Sequence, residues 1–290
     1  MKIALVTYQA LQSYGSLSGS EDNLLIDYLT SKGLDITPEV WDNPAVEWQQ
    51  YDVALFKSPW DYFDKFPEFK LWLDKMEASG VRTLNPLKTI RWNTDKHYLL
   101  DIAAVGLPIV PTELLKRGTE AHLTSYFTQF GTEKIIVKPT VSGGAKNTFI
   151  VPRQEAEALL PKLQALLKVE DYLVQPFMPQ VQEEGEWSFL FFNGRYSHTV
   201  LKAAKAGDFR VQHFFGGTIH PETAPAHLLP QAQQLIDQFA QGCLYARVDG
   251  VAMGQELQLM ELELIEPFLF LHTHEAALEN YYQALMELSA

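Results

Sequence analysis

The sequence predicts a two-part chain: a parallel α/β domain, then an α+β domain built on antiparallel sheets. Three observations carry this prediction. The chain has 290 residues, which suits two domains at roughly 150 residues each. Over the first 90 residues, short apolar runs alternate with helical patterns, as in a parallel sheet covered on both faces. Farther on, hairpin signals take over, the clearest being Asn193-Gly194 between two apolar segments. The boundary is placed near residue 90, giving 1–90 and 91–290.

In chain order, 3–7 reads as a buried strand, and 21–31 as a helix with Leu24, Leu25, Tyr28 and Leu29 on one face. Gly33 ends that helix. Segments 36–41 and 53–57 are strands, and 66–78 is a helix stopped by Gly80. Parallel sheets bind ligands at the carboxyl ends of their strands, so loops 8–20 and 58–64 should meet a substrate. The texture changes near Asn85-Pro86. A helix is expected over 93–104, then strands 134–139 and 148–151 around the small-residue loop Ser142-Gly143-Gly144-Ala145. There follow a helix over 153–168, a strand over 172–177, a hairpin of 186–192 with 196–203, and a helix over 225–243. A second hairpin pairs 245–253 with 257–265, and a helix over 274–288 closes the chain.

Composition narrows the function. An apolar fraction of 47% and a charged fraction of 20% are those of a globular protein. Lys plus Arg number 23 against 36 Asp plus Glu, a net charge of −13. Such a chain repels a phosphate backbone, so nucleic acid and anionic membranes are excluded as generic partners. The single Cys243 excludes an intrachain disulfide and a cysteine-based zinc site, and is most simply a core residue. No apolar run reaches the ~18 residues of a membrane helix, and the first strand is too short for a signal-peptide core. A cytoplasmic protein acting on small molecules is expected.

The most informative segment is the second hairpin. Strand side chains alternate faces, so Arg247 shares a face with Asp249, and Glu261 with Glu263. A three-residue turn at 254–256 pairs Met253 with Leu257, and thereby Asp249 with Glu261 and Arg247 with Glu263. Three carboxylates and one Arg on one face suit a hard divalent cation. An isolated Glu-Leu-Glu is more simply a solvated strand face, but Asp249 and Arg247 converge on the same patch. Glu266 is out of phase with the other acids and precedes Pro267. It is a third ligand, a substrate contact or a strand-end charge.

Lys138 ends an apolar strand, and an unpaired buried ammonium is expensive, so it must face solvent or an anion. The Ser142-Gly143-Gly144 loop beyond it allows backbone N–H groups close to phosphate oxygens; alone it is equally a hairpin tip. Lys96 opens a helix, where the macrodipole also favours anions. Lys202, Lys205 and Arg210, followed by Gly216-Gly217, form a cationic segment suited to closing over a phosphate or a carboxylate, although Lys205 reads as solvated. Trp60 and Asp61 follow a strand and either recognise a substrate amine or, for Asp61, cap the next helix.

Taken together, the residues resemble those of the ATP-grasp carboxylate–amine ligases. The matching stretches are Asn93-Thr94-Asp95-Lys96, Val137-Lys138-Pro139, Val174-Gln175-Pro176-Phe177, Gly185-Glu186, Gly207-Asp208-Phe209-Arg210, Gly216-Gly217, Arg247-Val248-Asp249 and Glu261-Leu262-Glu263. They keep the family's order from Asn93 onward. Within the family the chain is most similar to the branch of glutathione synthetase, the ribosomal-protein glutamate ligase and the cyclase of cycloserine biosynthesis. Ser58-Pro59-Trp60-Asp61-Tyr62 and Glu186-Trp187-Ser188 bring it nearest the last of these.

The resemblance implies a preceding α/β domain over 1–90 and an ATP-grasp domain over 91–290, with a lid-bearing part (91–175) and a magnesium-binding part (176–290). It implies that ATP lies between two sheets. Lys96, Lys138, Lys202 and the loop Ser142, Gly143 and Gly144 would meet its phosphates, and Gln175 and Phe177 its adenine. Glu186 would take the ribose, with Glu183 as rival. Asp249, Glu261 and Glu263 would hold Mg²⁺ or Mn²⁺; the family often has Asn at the position of Glu263, so this site carries one extra negative charge. Arg247 and Arg210 would steady the transferring phosphoryl group, with Trp60, Asp61, Gly216 and Gly217 toward the substrate. The implied reaction joins a small amino-acid-like carboxylate to an amine through an acyl phosphate. Its alternatives are an intramolecular cyclo-ligase, a ligase for protein tails and a nucleotide-binding module without activity. The resemblance leaves room for a homo-oligomer. Phosphoryl transfer requires mainly positioning and charge neutralisation, consistent with a sequence that offers no Ser/His/Asp or Cys/His constellation.

Overall fold

The computed structural model describes residues 1–9, 16–205 and 216–290, with side chains from residue 21 onward in the first helix. The N-terminal part holds β1 (Lys2–Thr7), α1 (Ser16–Ser31), β2 (Asp35–Val40), β3 (Val53–Ser58), α2 (Phe66–Ser79) and β4 (Arg82–Leu84). The four strands form a parallel sheet in the order β2-β1-β3-β4. All six residues of β3 are buried, as expected of an inner strand covered on both faces. The core on one side is aromatic, with Trp41, Trp48, Phe56, Phe69 and Trp72 packed edge to face or tilted.

Next come α3 (Leu87–Asn93) and α4 (Tyr98–Ala104). The single helix expected over 93–104 is thus broken. Asn93 ends α3, and its side chain is spent on the acidic hairpin, donating to the Leu262 carbonyl at 2.7 Å and accepting from the Leu264 amide at 2.9 Å. Then follow β5 (Glu113–Leu115), α5 (Leu123–Phe130), β6 (Lys134–Pro139), β7 (Phe149–Pro152), α6 (Ala156–Leu166) and β8 (Tyr172–Pro176). These strands make an antiparallel sheet in the order β5-β8-β6-β7. The rest of the chain gives α7 (Gln180–Glu183), β9 (Glu186–Phe192), β10 (Arg195–Ala203), β11 (Thr218–Glu222), α8 (Leu229–Phe239), β12 (Tyr245–Met253), β13 (Glu256–Glu263) and α9 (Ala277–Ser289). Its sheet runs β11-β10-β9-β12-β13, antiparallel throughout. The short elements β4, α3, β5, α5, α7 and β11 carry too few periodic residues to be visible in the sequence.

The β12–β13 hairpin differs from expectation and still reaches the expected pairing. Its turn has two residues, with Met253 opposite Glu256 and Gly254 at φ 63°, so the register starts one residue off. A bulge then absorbs Met260 between the pairs Gly250–Leu259 and Asp249–Glu261. Gly250 sits where the strands approach closely: a Cβ there would lie 2.7 Å from the Gln258 carbonyl oxygen. Beyond the bulge, Asp249 faces Glu261 and Arg247 faces Glu263.

The parallel sheet is bound to this hairpin and to the segment after it. Buried Asn85 donates to the carbonyls of Tyr245 (2.9 Å) and Leu264 (2.7 Å) and accepts from the Tyr245 amide (3.2 Å). The Tyr245 hydroxyl proton is shared between the carbonyls of Phe56 and Ile265. Glu21 accepts from the amides of Leu269 (2.8 Å) and Leu271 (3.1 Å). Lys57, buried behind it, neutralises Glu21 at 3.0 Å and Asp22 at 3.3 Å. No helix among the described residues is long and apolar enough to cross a membrane.

His198 on β10 is buried, with Nε2 donating to the Leu269 carbonyl (2.9 Å) and Nδ1 facing the Ser197 hydroxyl (2.9 Å). Burial pushes its pKa down to about 4. The unfolded chain therefore binds a proton that the folded chain refuses between roughly pH 6.5 and 4, and stability must fall as pH drops through that window. Urea midpoints measured from pH 7 to 4 should show up to about 3 kcal/mol lost in the wild type, and a shallower slope in His198→Asn.

Candidate active site

A cavity of about 1000 Å³ is lined by both antiparallel sheets, loop 58–64 and the segment after β13. β6 contributes Lys138, β8 Gln175, β9 Glu186, β10 Lys202, β12 Arg247 and Asp249, and β13 Glu261 and Glu263. Strand alternation explains the hairpin's share, since each pair of charged residues is two apart and turned to the same face.

Asp249, Glu261 and Glu263 each offer an oxygen within 4.8 Å of the others. Three carboxylates so close repel one another unless cations intervene. Arg247 supplies one: Nη2 donates to Asp249 Oδ2 at 2.8 Å and also reaches Glu263, while Nη1 holds the Phe268 carbonyl at 2.9 Å. Lys202 lies 2.6 Å from Glu186 and 3.2 Å from Asp249. Lys96 lies 3.5 Å from Glu261 and donates to the Ser142 carbonyl at 2.7 Å. Burial opposes ionisation of Asp249, but Arg247 and Lys202 outweigh it and hold its carboxyl well below the usual range. Glu263 goes the other way, pushed up to about 7 by burial, with Asp249 and Glu261 adding to the shift against the pull of Arg247. Glu266, raised by burial and by Glu263, reaches about 8.

Lys138 is unlike the other cations. It is buried at the cavity wall and has no hydrogen bond or ion pair among the described residues. Desolvation lowers its pKa, and the nearby Glu261 recovers only part of the shift. An ammonium held this way is a site awaiting an anion. A cluster of hard oxygens beside an unmatched buried ammonium fits a divalent cation carrying phosphates.

The structure brings Lys96, Lys138, Ser142, Gly143, Gly144, Gln175, Phe177, Glu186, Lys202, Gly217 and Trp60 to this cavity, together with Arg247 and the three acids. It does not bring Glu183, Asp61 or Gly216. Glu183 is exposed on α7. Asp61 is buried, and it neither lines the cavity nor caps α2. Its oxygens accept from Trp41 Nε1 and Lys65 Nζ, both at 2.7 Å. Gly216 is exposed beside the Lys205 side chain. Arg210 lies outside the described residues. Lys96 precedes α4 rather than opening a longer helix, and its backbone N–H is tied to the Thr140 carbonyl at 2.8 Å. Loop 58–64, expected to meet a substrate, also contributes Tyr62 and Phe63, whereas Phe268, Phe270 and His272 were not foreseen as lining residues. The alternation Phe268-Leu269-Phe270-Leu271-His272 was the available signal.

Comparison with known proteins agrees with this geometry. The family model "D-cycloserine synthetase DcsG, N-terminal domain" matches residues 3–85. The chain is 28% identical over 273 residues to the cycloserine biosynthesis protein DcsG of Streptomyces lavendulae, covering 87% of this chain and 89% of that one. The crystal structure of D-cycloserine synthetase DcsG superposes with a TM-score of 0.86 at 24% identity, over the full length of both chains. The D-alanine–D-alanine ligase of Bacillus anthracis complexed with ATP superposes at 0.71 and 17% identity, covering 100% of this chain and 97% of that one. The chain is thus similar in sequence to D-cycloserine synthetase DcsG and shares the fold of ATP-grasp ligases. Its parallel first sheet and two antiparallel sheets are the architecture of ATP-grasp ligase structures.

The glycine loop between β6 and β7 rests on the N-terminal part. A Cβ on Gly143 would come within 2.4 Å of the Phe63 ring, and Lys146 is ion-paired with Asp64. Gly143→Ala should therefore push the loop off its seat and raise KM for ATP about tenfold (~1.4 kcal/mol). The double variant Gly143→Ala/Phe63→Ala should recover most of that loss in steady-state kinetics.

Proposed function

We propose that this protein is an ATP- and Mg²⁺-dependent ligase that forms a C–N bond between a carboxylate and an amine of small, amino-acid-like substrates. The observation that supports the proposal is buried Lys138, without an ion pair among the described residues, facing the same cavity as the Asp249–Glu261–Glu263 cluster. In this reading Lys138 and Lys96 hold phosphate oxygens, and the three acids hold the divalent cation. The metal, when bound, neutralises phosphate charge and aligns the terminal phosphoryl group. Gln175 and Phe177 border the adenine. Glu186, already engaged by Lys202, is the described residue nearest the ribose role that resemblance implies.

The chemistry follows from the groups present. A carboxylate is a poor electrophile. Its oxygen attacks the terminal phosphorus, ADP leaves, and the acyl phosphate so formed has a good leaving group. The amine nitrogen then attacks the acyl carbon, phosphate departs with the C–O bond electrons, and the nitrogen loses a proton. In this reading Arg247 stabilises the charge that develops on the transferring group. Seating of the glycine loop on Phe63 excludes the water that would hydrolyse the intermediate. A cytoplasmic setting, where Mg–ATP is abundant, suits this reaction.

One observation favours the intramolecular version, a cyclo-ligase of the cycloserine type. The part of the chain that supplies Trp60 to the cavity lies within the match to the N-terminal domain of D-cycloserine synthetase. A cyclo-ligase releases ADP with a single substrate bearing both carboxyl and amine, whereas an intermolecular ligase requires two.

An ADP-release screen over amino acids and simple amines, singly and in pairs, tests both versions. With the best substrate, Lys138→Ala and Glu261→Ala should each lower turnover about a hundredfold or more while circular dichroism stays that of the wild type. Turnover within a few-fold of wild type in both variants would sink the assignment.

A further inference from the structure

Five carboxylates line the cavity: Glu186, Asp249, Glu261, Glu263 and Glu266. Four of them face a cation of the protein. Glu186 has Lys202, Asp249 and Glu263 have Arg247, and Glu261 has Lys96. Glu266 has none: among the described residues its side chain makes no hydrogen bond or ion pair. It is also separate from the metal cluster, whose three close oxygens come from Asp249, Glu261 and Glu263. Among the described residues it therefore lacks a close positive partner, with Lys96 and Arg247 acting on it only from beyond ion-pair distance.

Its surroundings say what kind of charge. The Glu266 carbonyl accepts from Trp60 Nε1 at 2.9 Å, which joins loop 58–64 to the segment after β13. Those two stretches line the cavity with Trp60, Tyr62, Phe63, Phe268 and Phe270. A carboxylate among aromatic rings suits an organic ammonium, which gains an ion pair and a ring face together.

We infer that Glu266 anchors the ammonium group of the substrate, so that the substrate is a primary amine or a free amino acid with an apolar body. The inference rests on the ligase reading above and adds the recognition element that it lacks. Glu266 acts here by binding and transfers no proton in the reaction.

The test uses the full chain saturated with Mg-ADP, with benzylammonium as probe and benzyl alcohol as its uncharged match, titrated by calorimetry or ligand-observed NMR. The wild type should bind benzylammonium about tenfold or more tighter than benzyl alcohol. Glu266→Gln should lose that preference and Glu266→Asp should keep part of it, with Mg-ADP affinity the same in all three. Equal binding of the two probes by the wild type, or an undiminished preference in Glu266→Gln, overturns the inference. So does loss of Mg-ADP binding in Glu266→Gln alone, which would make Glu266 a metal ligand. Failure of the wild type to bind Mg-ADP shows before any probe is added; it removes the nucleotide reading, and this inference with it.

Discussion

The structure depends on keeping like charges close together without letting them repel. Five carboxylates and four cations of the protein line one cavity. Asp249 and Glu261 stay ionised there only because cations pair with them closely. Arg247 is the centre of that pairing, since it reaches two of the three clustered acids and also fixes the Phe268 carbonyl. Pairing is nonetheless incomplete. Among the described residues Lys138 pairs with no anion and Glu266 with no cation.

The second constraint is that the cavity walls come from distant parts of the chain and must be held in register. Buried polar side chains do this. Asn85 and Asn93 tie the early helices to the strand residues flanking the acidic hairpin. Glu21 grips the amides of Leu269 and Leu271, on either side of Phe270, and Lys57 stabilises that carboxylate from behind. Each of these groups is buried, so losing a partner would leave unsatisfied hydrogen-bonding capacity inside the protein. The N-terminal part is therefore a structural component of the cavity as well as a source of its lining residues.

Much of the site was legible because its chemistry is local. The spacing Arg247-x-Asp249 and Glu261-x-Glu263 put four charges on one face, whatever the detail of the turn. The turn was in fact misread, yet the bulge at Met260 restored the pairing, because burial of the intervening leucines makes the opposite face unacceptable. What failed was anything depending on a partner far away in sequence. Asp61 looked free for substrate until Trp41 and Lys65 took both its oxygens. Lys202, read as facing a phosphate or a carboxylate, lines the cavity, and the fold also sets it against Glu186 and Asp249. Lys57, at the end of a predicted strand, is buried beneath Phe268.

By itself, the sequence determined the succession of parallel and antiparallel sheets, the acidic ribbon and the order of the charged motifs. Each of these follows from periodicity or from residues a few positions apart, where strand and helix geometry alone dictates which side chains share a face. Only the tertiary structure decided which charges are matched and which are left open. Matching is a property of distance in space, and residues such as Glu21 and Leu269, or Trp60 and Glu266, become neighbours only once three sheets have packed together.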